Sequence, residues 1–216
     1  MSIISVVGIN TNGNKEQAEL IRLIFENNRP VIFGTGNAGT GKTFIALASA
    51  LQLVKDRRYG KIVYTREPEE VGKSLGFLPG DLDDKFNVYM RGLYDNLEHI
   101  ENYGEIKMNN ALEKIECVPL QFLRGASFEN TIVIVDEAQN LDMNSIKTVL
   151  TRIGKFCKVI LLGSIRQIDN QKQSKLKECD FMKAHRLLKE QPFVGSIELT
   201  KSMRSPWCTV IDELLA

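Results

Sequence analysis

The chain has 216 residues, 43% hydrophobic and 25% charged, the balance of a folded domain with enough apolar mass for one large core. Its 28 lysines and arginines against 27 aspartates and glutamates leave a formal net charge of +1, so no global basic field points to nucleic acid. No apolar run approaches a membrane span, the start Met1-Ser2-Ile3-Ile4 has no basic region ahead of it, and a cytoplasmic protein is expected. In chain order, Asn14-Lys15-Glu16-Gln17 predicts a helix start, with Asn14 as cap and Gln17 three residues on. Leu20, Ile21, Leu23 and Ile24 follow at helical spacing, and Asn27-Asn28-Arg29-Pro30 ends the helix. A strand is expected near Val31 to Gly34, then a helix from Phe44 to Lys55 that is apolar nearly all round and therefore buried. Lys61 to Thr65 reads as a second strand. Residues 69–110 are mixed, with a type II turn signal at Leu78-Pro79-Gly80. A strand with its flanks is expected over Ile115 to Leu123, and a central parallel strand over the apolar run Thr131 to Val135. Then come a helix from Met143 to Arg152, a buried strand from Lys158 to Leu162, a helix from Ser174 to Leu188, a strand from Ser196 to Leu199 and a closing helix from Pro206 to Leu214. Strands alternating with helices predict one α/β domain over residues 1–216, a doubly wound parallel sheet with ligands at the strand C-termini.

Cys117, Cys157, Cys179 and Cys208 stand at no metal-ligand spacing, and His99 and His185 are far from each other. Separate reduced thiols are the expectation. The chemistry lies elsewhere. Gly36-Asn37-Ala38-Gly39-Thr40-Gly41-Lys42-Thr43 spells G-x-x-x-x-G-K-T between a predicted strand and a predicted helix, the context a phosphate-binding P-loop requires. Its glycines let backbone N–H groups turn toward phosphate oxygens, and the helix N-terminus adds its positive dipole end. Lys42 is expected to reach the β- and γ-phosphates, and the Thr43 hydroxyl to ligate Mg²⁺.

Asp136-Glu137 closes the apolar run Ile132 to Val135. A carboxylate at the end of a buried strand, facing a P-loop, is where Mg²⁺ needs support, so Asp136 is expected to hold the ion through water. Glu137 is the expected base that orients or deprotonates the attacking water. The long separation between Lys42 and Asp136 leaves room for an extra strand between the two motif strands, supplied by Lys61 to Thr65. That spacing leans toward helicases and RecA-like motors and away from nucleotide kinases, whose motif strands are usually neighbours. In Gly163-Ser164-Ile165-Arg166-Gln167, Gln167 is the candidate sensor of the γ-phosphate.

With these pieces together, the chain resembles the PhoH family of phosphate-starvation-inducible ATPases. The resemblance runs from about Gln17 to the C-terminus. It rests on the P-loop, Gly76-Phe77-Leu78-Pro79-Gly80-Asp81-Leu82, Leu93 to Leu97, Leu123-Arg124-Gly125, Asp136-Glu137-Ala138-Gln139-Asn140, Thr151-Arg152-Ile153-Gly154 and Gln167-Ile168-Asp169. It implies a RecA-like P-loop fold similar to the first motor domain of superfamily-one helicases. It also implies that Gln17, which composition reads as an exposed helix residue, contacts adenine. Arg204 matches an arginine near the family's C-terminal end and becomes a candidate for phosphate contact across a subunit interface. Ser164 stands where the family usually carries aspartate, which puts the coupling of γ-phosphate sensing to the rest of the domain in question. The chain resembles the bare ATPase domain, a form often encoded by bacteriophages.

The leading expectation is Mg²⁺-dependent ATP hydrolysis, with ATP and Mg²⁺ as the bound groups. Lys42, Glu137, Gln167 and Arg204 are its catalytic set. The resemblance implies coupling to RNA or single-stranded nucleic acid, supported by Tyr64-Thr65-Arg66 and the Phe77 loop, in which arginine contacts phosphate and an aromatic stacks on a base. It also implies a homo-oligomer, as a hexameric ring, in which Arg152, Arg166 or Arg204 of a neighbour completes the site. Two other readings stay open. One is an ATP-dependent regulatory switch with little turnover. The other is a nucleotide kinase, because Thr65-Arg66-Glu67-Pro68 is similar to a thymidylate kinase loop.

Overall fold

The computed structural model describes residues 14–66, 93–97, 100, 112–123, 128–152, 154–164, 168, 173–203, 205 and 207. The elements are α1 (Lys15–Phe25), β1 (Val31–Gly36), α2 (Lys42–Lys55), β2 (Lys61–Arg66), β3 (Ile115–Cys117), β4 (Thr131–Asp136), α3 (Met143–Thr151), β5 (Lys158–Gly163), α4 (Asp180–Leu188) and β6 (Val194–Leu199). Residues 93–97 add one helical turn between β2 and β3. The six strands pair in parallel throughout, in the order β3-β2-β4-β5-β1-β6.

The apolar strand runs split by alternation, as a period of two demands. Ile32, Ile62, Tyr64, Ile132, Ile134, Ile160 and Leu162 pack on one face with Leu20 and Ile24 of α1 and Ile45 and Leu47 of α2. Phe33, Val63, Val133, Val135, Val159 and Leu161 face the other way, onto Ile146 and Val149 of α3 and Phe181 and Ala184 of α4. Both faces are covered, so β1, β4 and β5 are buried along their whole length. Among the described residues no helix is long and apolar enough to cross a membrane. Cys117, Cys157 and Cys179 are free thiols, and no group of three or more His, Cys, Asp or Glu side chains among those residues could hold a metal ion.

The motif strands β1 and β4 are separated, as expected, but by a different strand. β5 lies between them, while Lys61 to Thr65 pairs on the far side of β4. Separation along the sequence does not set lateral order, because α2 carries the chain from β1 over the sheet to β2. The expected strand Ile115 to Leu123 is short, ending at Cys117 before a 3₁₀ turn at Leu120–Leu123. The expected helix Ser174 to Leu188 is broken. A 3₁₀ turn covers Gln173–Lys175, and the α-helix starts only at Asp180. Gln173 explains the late start: its Oε1 accepts from the Asp180 N–H at 2.8 Å and its Nε2 donates to Asp180 Oδ2 at 3.0 Å. Asp180 Oδ2 also accepts the Met143 N–H at 3.0 Å, which ties α4 to α3. β6 begins two residues before the expected Ser196. The turn at Leu78-Pro79-Gly80 and most of the closing helix Pro206 to Leu214 lie outside the described residues.

Lys158 opens β5 with only 1% of its surface exposed. Its ammonium donates to the carbonyls of Glu26 and Arg29, each at 2.7 Å, closing the segment that follows α1. Burial, reinforced by Arg58, pulls its pKa down to about 8, so at neutral pH it still carries the proton both bonds need. Lys158→Met fills the same space without the donor. A loss of about 1–3 kcal/mol in unfolding free energy is expected, read by chemical denaturation, because the half-buried carbonyls of Glu26 and Arg29 lose a charged partner. An unchanged midpoint would show that these bonds contribute nothing net.

Candidate functional site

β1, β5 and β4 end side by side, and their C-terminal loops open on one cleft of about 270 Å³. Its walls include Lys42, Thr43, Arg66, Asn96, Asp136 and Glu137, with Ser164 at the end of β5. The P-loop enters through Gly36, which pairs with Leu199 of β6 at φ 135°. A Cβ at Gly36 would sit 2.1 Å from the Leu199 carbonyl oxygen, so only glycine fits. Gly39 and Gly41 hold φ values of 72° and 87°, in the left-handed region, and turn the loop toward the start of α2. Thr40 Oγ1 donates to the Asn37 carbonyl at 3.0 Å and cross-braces the loop. Lys42 is buried, and its ammonium donates to the carbonyls of Gly36 at 2.9 Å and Asn37 at 2.8 Å.

The N-terminus of α1 supports this loop from behind. Asn14 Oδ1 caps the helix by accepting the N–H groups of Glu16 and Gln17, as the sequence predicted. Gln17 is not the exposed helix residue that composition implied. It is 6% exposed, and its Nε2 donates to the Thr40 carbonyl at 3.0 Å. Glu16 accepts from the N–H and hydroxyl of Thr200 at 2.7 and 2.6 Å, tying α1 to the segment after β6. That segment then reaches the P-loop, where the Met203 N–H donates to the Gly39 carbonyl at 2.8 Å.

Asp136, the last residue of β4, is the meeting point. Thr43 Oγ1 lies 3.0 Å from its Oδ1 and 3.2 Å from its Oδ2. The Glu137 N–H donates to Oδ1 at 3.1 Å, and the Tyr64 hydroxyl donates to Oδ2 at 2.6 Å. Burial and the Asp136 charge push the Tyr64 phenol far above its ordinary pKa, so it remains a proton donor. Tyr64 is 1% exposed, which removes it from the expected nucleic-acid surface: a ring inside the core cannot stack on a base. Thr43 and Asp136 together offer a hydroxyl and a carboxylate oxygen, the hard donor set that suits Mg²⁺ beside phosphates.

Glu137 leaves the strand at φ 50°, a left-handed conformation rare for a side chain other than glycine, and one that clusters at functional sites. Burial, and then the adjacent Asp136, raise its pKa above the ordinary glutamate value, while Gln139, Arg66 and Lys42 pull it back. Gln139, wholly buried, donates through Nε2 to Glu137 Oε2 at 2.6 Å and accepts the Ser164 N–H through Oε1 at 2.9 Å. The end of β5 is thereby linked to Glu137 through a backbone donor. Serine in place of the family's aspartate leaves this link intact.

Lys42, Thr43, Asp136 and Glu137 therefore converge with P-loop residues Gly36 to Gly41 on one cleft or directly behind it. Gln167, Arg166, Arg204 and Phe77 lie outside the described residues. Arg152 follows α3, with its carbonyl against the Phe128 N–H ahead of β4. That is the opposite end of the sheet from this cleft. Sequence reading had not seen the parts that Tyr64, Gln139 and Asn96 play. Tyr64 had a signal: the β2–β4 register pairs it with Ile134, two residues before Asp136 on the same face, within the diagonal reach of a phenol.

The sequence model of the family described as "PhoH-like protein" matches residues 10–216. The chain is 36% identical over 207 residues to Protein PhoH2 of Bacillus subtilis, covering 94% of this chain and 47% of that one. It is 36% identical over 211 residues to a PhoH-like protein of the same organism, covering 96% of this chain and 63% of that one. The chain thus spans about half to under two thirds of these curated relatives. Among solved structures, the Sulfolobus solfataricus SWI2/SNF2 ATPase core in complex with dsDNA superposes with a TM-score of 0.50 at 14% identity, over 92% of this chain and 47% of that one. The chain thereby shares the α/β fold of that ATPase core.

Gly36→Ala tests the cradle. Strain at a φ open only to glycine, with the clash against Leu199, is expected to cost at least about 1–3 kcal/mol and to lower the melting temperature. A variant that melts with the wild type would contradict this geometry.

Proposed function

The chain belongs to the PhoH-like protein family, and on that premise we propose that it hydrolyses ATP with Mg²⁺ in this cleft and couples the reaction to single-stranded nucleic acid. The observation that carries the reading is the meeting of Thr43 at the start of α2 with Asp136 at the end of β4, with Glu137 beside them. Backbone N–H groups of the P-loop and the start of α2 bind phosphate oxygens, and Lys42 adds a positive charge. Thr43 and Asp136 would hold Mg²⁺, which when bound neutralises charge on the transferred phosphoryl group. Glu137 orients and accepts a proton from the attacking water, with its carboxylate held by Gln139. Gln17, bonded to the P-loop at Thr40, is the proposed adenine contact, and Gln167 the proposed γ-phosphate sensor.

The family and the fold support a motor-type reading over a kinase. β5 separates the motif strands, where the kinase arrangement makes them neighbours. A single motor-type unit completes its site by self-association, so a homo-oligomer, in the form of a hexameric ring, is part of the proposal, with Arg204 of a neighbour as the arginine that reaches the phosphates. The structural relative was solved with double-stranded DNA. For this chain single-stranded RNA is the first probe, because motor domains of this type engage one strand through its backbone.

Phosphate release from Mg·ATP, with and without single-stranded RNA, tests the proposal. The wild type is expected to turn over and to be stimulated by RNA. Glu137→Gln, which keeps the Gln139 contact region filled, is expected to bind ATP normally and to lose about 10²–10⁴ in rate. Wild-type turnover at the level of that variant, with or without RNA, would favour a nucleotide-dependent switch instead.

A further inference from the structure

Asp136 has a hydrogen-bond partner that neither the P-loop helix nor Glu137 supplies. Asp136 is 8% exposed, so each of its carboxylate oxygens needs hydrogen bonds to offset the loss of water. Oδ1 receives the Glu137 N–H and Thr43 Oγ1. Oδ2 receives Thr43 at 3.2 Å and the Tyr64 hydroxyl at 2.6 Å. The tyrosine contact is the shortest of the four, within the range of a charge-assisted O–H···O⁻ bond.

The other two donors do not fix the carboxylate by themselves. The Glu137 N–H belongs to a residue leaving the strand, and Thr43 is the residue expected to turn its oxygen toward the metal. Tyr64 differs from both. Its ring is 1% exposed and packed in the core with Ile62, Ile132 and Ile134, on β2 beside β4. Its oxygen meets Oδ2 at 2.6 Å from within the core.

We propose that Tyr64 is a positioning residue for the Asp136 carboxylate, locking its rotation so that it presents a metal-supporting oxygen to the P-loop. The inference rests on the reading of Thr43 and Asp136 as the Mg²⁺ site. Residues that hydrogen-bond metal-supporting carboxylates typically change metal affinity by about 10–100-fold when removed. The same contact joins β2 to the cleft. Arg66, two residues on and paired with Asp136 across the sheet, is thereby brought to the cleft wall at a fixed offset.

Tyr64→Phe removes one oxygen and keeps the ring. Mn²⁺ binding in the presence of ADP, followed by electron paramagnetic resonance, is compared for the wild type, Tyr64→Phe, Asp136→Asn and the double variant. The proposal expects Tyr64→Phe to weaken Mn²⁺ binding about 10–100-fold, to leave metal-free ADP affinity within about twofold, and to add less than about twofold once Asp136→Asn is present. Unchanged Mn²⁺ affinity in Tyr64→Phe, or equal loss in both backgrounds, overturns it. If Asp136→Asn itself leaves Mn²⁺ affinity unchanged, the assignment of the metal site fails instead, and the two failures are told apart. Should Tyr64→Phe not fold, the wild type supplies the second reading. A slowly exchanging hydroxyl proton assigned to Tyr64 by NMR is expected, and it must move in Asp136→Asn; absence of that proton, or no movement, overturns the proposal.

Discussion

A single buried carboxylate sets the terms for the rest of the molecule. Asp136 sits where three segments distant in sequence come together: the end of β4, the start of α2 and the end of β2. Its charge is tolerable in the interior only because hydroxyl and amide donors surround it. Those donors require β2 beside β4, and they require α2 to begin directly opposite. The lateral strand order and the entry of the P-loop are therefore bound to the same few hydrogen bonds.

From this point the contacts spread outward in two directions. Through Glu137 and Gln139 they reach the Ser164 N–H at the end of β5, so the ends of β4 and β5 are joined through the Gln139 side-chain amide. Through Thr43 and the P-loop they reach Gln17 at Thr40 and Met203 at Gly39. The loop that would cradle phosphate is thus held from the front by β4 and from behind by α1 and the segment after β6. Movement of any one of these on nucleotide binding or loss would be felt by the other two, since interior packing does not deform continuously.

Much of this was legible in the residues. The apolar runs at Val31, Thr131 and Lys158 gave the parallel strands, because strands buried on both faces read as continuous runs. The G-x-x-x-x-G-K-T spacing and the Asp-Glu pair located the cleft, since both motifs report strand ends. Lateral order was not legible: nothing local distinguishes β2 from β5 as the strand between the motif strands, and helix crossings decide it. The break before α4 was hidden because Gln173 caps Asp180 across a turn, a contact that helical periodicity does not register. Gln17 looked exposed because a polar residue near a helix start usually is, whereas its position depends on a P-loop that follows 23 residues later in the chain. Tyr64 looked like a surface aromatic beside an arginine. Its burial follows from β2 being an inner strand, which only the topology shows.

The most direct test of the account is a calorimetric titration of a non-hydrolysable ATP analogue, with and without Mg²⁺, into the wild type and Thr43→Val. Thr43→Val removes the hydroxyl that meets Asp136 while keeping the side chain's shape. The account predicts that Mg²⁺ strengthens binding to the wild type and that most of this strengthening is lost in Thr43→Val, with metal-free affinity little changed. Equal strengthening by Mg²⁺ in both proteins would contradict it, because the contact between α2 and β4 would then not be where the metal is held.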